Sequence, residues 1–149
     1  MANASKAIIS AGTICGVMDL TAAFLVYGTM GAKPLRILQG IAGGILGPEA
    51  YQGGVLTALL GLALHFLIAF GAATVFYVAS RFLQFLVDHV ILSGAFYGVA
   101  IYFFMQRVVI PFSRAARSLF SLKFMIIGVT IHILCVGLPI ALSVRKYSR

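Results

Sequence analysis

Apolar residues run through this chain in four blocks, each long enough to cross a bilayer, and the charged residues gather mostly in the gaps between them. The blocks cover residues 7–30, 55–80, 90–110 and 122–143. A transmembrane helix needs about 20 predominantly apolar residues to cover the ~30 Å hydrocarbon core. The pattern therefore predicts an all-α, membrane-embedded four-helix bundle, with residues 1–149 forming a single integral-membrane domain. An even number of spans puts both termini on one side. The first block has the look of a signal peptide, but its length, the presence of Asp19 and the lack of a small-residue cleavage site predict that it is retained.

A fifth apolar block, Pro34 to Gly47, is only fourteen residues long and is closed by Gly47 and Pro48. That length cannot cross a bilayer as a helix and suits an additional short interfacial or re-entrant helix. In it Leu38, Ile41 and Ile45 are expected toward lipid, with Arg36, Gln39 and Gly43 turned elsewhere.

Composition strengthens this reading. Hydrophobic residues make up 62% of the chain and charged residues 9%, and the mean hydropathy is +1.09, far from the composition of a soluble domain. The formal net charge of +8 raises nucleic acid as a partner, but the basic residues are spread among helix ends. Anionic lipid headgroups in the surrounding bilayer account for them, with no nucleic acid involved.

Lys6, Arg81, Arg145, Lys146 and Arg149 fall on the side of the termini, and Lys33, Arg36, Arg107, Arg114, Arg117 and Lys123 on the other. Such balance is also a mark of dual-topology exporters; the dense cluster at Arg145, Lys146 and Arg149 favours cytoplasmic termini. Tyr27, Tyr51, Tyr77 and Tyr147, near span ends, read as interface anchors.

Small residues mark where the spans approach one another. Gly12, Cys15, Gly16, Asp19, Ala22 and Ala23 share one face of the first span, and Thr57, Gly61, His65, Ala69 and Ala73 share one face of the second. The fourth repeats the pattern with Gly128, His132, Cys135 and Pro139, and the third offers Gly94 and Gly98. Membrane helices gain nothing by taking apolar side chains out of lipid, so close backbone packing at small residues supplies the attraction. Gly61-Leu-Ala-Leu-His65 and Gly128-Val-Thr-Ile-His132 also read as a weak repeat, as expected of a duplicated helical hairpin.

Candidate chemistry concentrates on Asp19, His65 and His132, which lie near the middles of three spans. An ionisable group at that depth costs at least ~2.5 kcal/mol and usually faces a protein interior or a hydrated cavity. Three roles compete: a buried hydrogen-bond network that pins helix register, a site that exchanges protons or cations during transport, and ligation of a transition metal or b-type haem by the two histidines, with Cys15 and Cys135 as neighbours. No cofactor is expected on the first two readings.

Cys15 and Cys135 otherwise read as small core residues. His89 reads as a solvated interfacial residue. Glu49 and Gln52, beside Pro48, could line an entrance, although neutralisation of Arg36 by Glu49 is the simpler expectation. No nucleophile-base pair or phosphate-cradling loop appears, so an enzyme is not expected.

Asp19, Ile37-Leu38-Gln39-Gly40-Ile41-Ala42-Gly43-Gly44, Leu62-Ala63-Leu64-His65-Phe66, Val108-Val109-Ile110-Pro111-Phe112-Ser113 and Val136-Gly137-Leu138-Pro139-Ile140-Ala141 together resemble an uncharacterised family of small four-span bacterial inner-membrane proteins. The resemblance implies a multi-pass protein of that membrane and carries over no activity, ligand or catalytic residue, since none is assigned to the family. Arg107 departs from the family pattern, which expects a small or polar residue there. Transport or proton-coupled handling of a small solute at Asp19, His65 and His132 is the leading functional expectation. The alternative is a non-catalytic accessory or structural subunit, in a homo-oligomer or a larger membrane complex.

Overall fold

The computed structural model describes residues 2–115 and 120–148; Arg117 and Arg149 lie outside the described residues. Six helices account for nearly all of it: α1 (Ala2–Thr29), α2 (Pro34–Leu46), α3 (Gly54–Phe82), the short α4 (Phe85–Asp88), α5 (Val90–Phe112) and α6 (Leu122–Tyr147). No strand occurs among the described residues. Four helices, α1, α3, α5 and α6, are long and apolar enough to cross a membrane. Leu25, Leu67, Val75, Ile91, Phe96 and Leu134 are exposed on their outer faces, as a lipid-facing surface requires. The arrangement fits a multi-pass membrane protein built as an all-α bundle.

The fifth apolar block does form its own helix, ending one residue before the predicted boundary. Pro34 opens it, where a missing N–H costs nothing. Gly47 closes it with φ 67°, a conformation that L side chains seldom adopt, and its N–H bonds back to the Gly43 carbonyl. One 3₁₀ stretch, Gly47–Gln52, then leads into α3. The buried face of α2 is Gln39, Ala42 and Gly43, whereas Leu38 is half-buried and Ile45 exposed. At Gly61 the backbone of α3 comes so close to α2 that a Cβ would collide with the Leu38 carbonyl. Gln39 completes the joint: its Nε2 donates to the Gly54 carbonyl at 3.0 Å, and the Thr57 hydroxyl donates to the Ala50 carbonyl at 2.6 Å.

The interior is built mostly of small side chains. Ala11 and Cys15 of α1, Ala69, Ala72, Ala73 and Phe76 of α3, and Val136, Ile140, Ala141 and Val144 of α6 form one buried cluster. α1 packs against both α3 and α6, and α5 packs along α6. Tyr97 ties α5 to α3, donating its hydroxyl to the Ala72 carbonyl at 2.7 Å and meeting the Phe76 ring edge-on. Between α5 and α6 the approach is backbone on backbone: a Cβ on Gly137 would strike the Gly94 carbonyl, and one on Gly98 would strike the His132 carbonyl. The α1–α3 seam is made differently, since the Phe70 and Phe66 rings cover Gly12 and Gly16.

Two helices contain a π turn: α5 at Met105–Val109 and α6 at His132–Gly137. Each ends two residues before a proline, Pro111 and Pro139. Inside a helix, proline offers no N–H to the carbonyl four residues back, and its ring crowds that carbonyl. Opening the preceding turn to the wider i→i+5 pattern relieves the crowding without breaking the rod.

Candidate functional site

Asp19 lies within one turn of the centre of the span Ala4–Thr29 and is half-buried. No hydrogen bond or ion pair from the described residues reaches its carboxylate. α1 packs against the π turn of α6 that carries Cys135, and Cys15 lies one turn before Asp19 on α1. Cys15 is buried, with its Sγ 3.5 Å from the Gly12 carbonyl, and Cys135 is half-buried; both are free thiols.

His65 places its ring at the α1–α3 seam, with Nε2 2.8 Å from the Gly16 carbonyl. A carbonyl can only accept, so Nε2 carries the proton and donates. His132 does the opposite. Its Nδ1 lies 2.9 Å from the Gly128 carbonyl of its own helix, so the proton sits on Nδ1, while the ring meets Tyr102 of α5 edge-on at 5.4 Å. Each histidine uses one ring nitrogen for a backbone bond. The hydrogen bonds of the two rings run to different helices, and none joins His65, His132 and Asp19 to one another. Among the described residues no group of three or more His, Cys, Asp and Glu side chains stands together in a form that could hold a metal ion.

The hairpins α1–α3 and α5–α6 use the same two residue types in different ways. In the first, a histidine side chain donates to a glycine carbonyl; in the second, the His132 backbone lies directly on Gly98. Gly94 and Gly98 of α5, Gly128 and Gly137 of α6, and Gly12, Gly16 and Gly61 on the other helices all sit where a neighbouring chain segment fills the space of a missing side chain.

One sequence expectation at the ends of the spans needs revision. Arg36 does not turn to Glu49: its Nη1 donates to the Tyr51 carbonyl at 3.1 Å and its guanidinium lies over the Tyr51 ring, 5.5 Å from the centroid. A backbone acceptor and an aromatic face are held in place by the 3₁₀ turn, whereas Glu49 and Gln52 both project outward and are exposed. His89 is exposed as expected, and its ring packs on Phe85 at 4.7 Å. Gln39 is the residue that sequence reading undervalued. It is 1% exposed, and its Oε1 has no hydrogen-bond partner. Its position on the α2 face opposite Ile45 was the available signal. No protein family, curated protein or solved structure was found to match the chain.

Proposed function

We propose that this chain is a multi-pass protein of the bacterial inner membrane, with cytoplasmic termini, that handles a small solute with coupled proton movement at Asp19. The observation that supports the reading is the half-buried Asp19 carboxyl group, set in mid-span on α1, with no hydrogen-bond or ion-pair partner among the described residues. A carboxylate kept only for structure would accept hydrogen bonds that pin its helix to a neighbour. Asp19 accepts none, which leaves both oxygens free for a proton or for a solute cation. His65, bonded to Gly16 one turn before Asp19, holds α3 against that stretch of α1. The chain's own residues supply binding and proton exchange on this reading, with no catalytic step and no cofactor.

The same unpaired carboxyl group supports a second reading, in which a side chain of a larger membrane complex completes Asp19 and the chain is an accessory subunit. Reconstitution into liposomes with a pH-sensitive dye separates the two. Solute-dependent proton movement by the wild-type protein, abolished by Asp19→Asn with the helical content intact, is the expected result, because an amide cannot titrate. Wild-type protein that moves no protons across a broad solute panel, or Asp19→Asn protein that moves them as well as wild type, overturns the transport reading.

A further inference from the structure

At the end of the bundle that carries the termini, α4 and the start of α5 meet the last turns of α6, and a groove of about 470 Å³ opens there. Asp88, His89 and Arg145 line its polar part; Ile91, Leu92 and Ala95 line the part that continues down α5. Asp88 and His89 are exposed and Arg145 is half-buried. Among the described residues, no side-chain hydrogen bond or ion pair engages any of these three. Lys146, the next cation along, is turned to the Tyr147 ring at 5.6 Å. Next to the polar groups, Ile91 is 62% exposed and Leu92 49% exposed, an apolar wall at the start of the apolar span Val90–Phe112.

A groove with a carboxylate and a guanidinium in one polar rim that do not pair with each other, above an apolar wall, matches a ligand that carries both charges on a head and hydrocarbon beneath it. We infer that this groove binds a zwitterionic phospholipid with a primary amine headgroup, of the phosphatidylethanolamine class. Arg145 presents its planar fork of donors to the phosphate, with the His89 ring beside it. Asp88 accepts from the ammonium N–H groups, and the acyl chain lies along Ile91 and Leu92. Asp88 sets the selectivity. Phosphatidylcholine has no N–H to donate, and phosphatidylglycerol brings a negative phosphate with no compensating amine next to a carboxylate. The inference rests on the four helices spanning a bilayer and is independent of any role of Asp19.

The test is native mass spectrometry of the full chain released from mixed vesicles holding equal amounts of phosphatidylethanolamine, phosphatidylglycerol and phosphatidylcholine. The wild-type protein is expected to retain phosphatidylethanolamine with roughly threefold to fivefold enrichment over each of the others, the scale of one partly exposed charge pair. Asp88→Asn should bring that enrichment down to about one, and Arg145→Gln should lower retention of all three lipids. Leu92→Trp, which fills the apolar wall and leaves the rim intact, should also displace lipid. Wild-type protein that keeps phosphatidylglycerol as well as phosphatidylethanolamine, or keeps no lipid, overturns the assignment. So does folded Asp88→Asn protein with an unchanged preference.

Discussion

The imidazole of His65 donates to the main-chain oxygen of Gly16 on the adjacent helix, 2.8 Å away. This is a side-chain bond between α1 and α3 in a seam that also holds aromatic rings over glycines and the Cys15 thiol, 4.0 Å from the Ala69 carbonyl. Hydrogen bonds between membrane helices are worth about 0.6 kcal/mol on average and up to about 1.7. His65→Ala should destabilise the protein by about 0.5–1.5 kcal/mol, while His65→Gln, which keeps an N–H donor of similar reach, should recover part of the loss. Unfolding in mixed micelles followed by circular dichroism reads both variants.

Glycine substitutions should split sharply by position. On Gly98 a methyl group meets the His132 carbonyl, and backbone cannot be moved aside as a side chain can; Gly98→Ala is expected to cost about 2 kcal/mol or more, by overpacking. Gly71 is exposed and has no atom near the place of a Cβ, so Gly71→Ala should stabilise by about 0.5–1 kcal/mol through helix propensity alone. Parallel unfolding curves of the two alanine variants provide the check. A Gly98→Ala protein as stable as wild type would mean that α5 and α6 are further apart than described.

At the α2–α3 joint, losing a donor and losing a half-satisfied amide should differ in effect. Thr57→Val removes the bond to the Ala50 carbonyl and leaves that acceptor unpaired, at a cost of about 1–3 kcal/mol. Gln39→Met loses the bonds to the Gly54 carbonyl and the Thr57 hydroxyl but takes away an unpartnered buried oxygen, so its net cost should stay below about 1 kcal/mol. Limited proteolysis between Gly47 and Gly53 is the measurement, and Thr57→Val should be cut faster.

Much of this fold is legible in the sequence, because hydrophobic length is a strong signal and lipid allows few ways to satisfy it. The four spans and α2 follow from block length and from Pro34, Gly47 and Pro48. Their ends differ by a few residues: α3 continues to Phe82, and α5 continues through its π turn to Phe112. Glycine stripes locate close approach but cannot tell what fills the space. Gly12 and Gly16 meet phenylalanine rings, whereas Gly98 and Gly137 meet backbone. The partners of the two histidines are main-chain oxygens, which every residue offers equally, so no residue pattern singles out Gly16 or Gly128. The prolines at 111 and 139 were visible, yet whether a helix kinks, breaks or widens at a proline is decided by its neighbours.

Backbone-on-backbone contact gives the molecule a stiff half and a yielding half. α5 and α6 touch through glycine Cα atoms and carbonyls, with no rotamers between them to change, so they can neither slide nor part in small steps. The α1–α3 seam has swinging parts, two phenylalanine rings and one imidazole, that rearrange on fast timescales. α2 is keyed to α3 through Gly61 and must travel with it. Yielding is therefore expected first at the seam between α1 and α3, and amide exchange should be fastest along the face of α3 that looks toward α1.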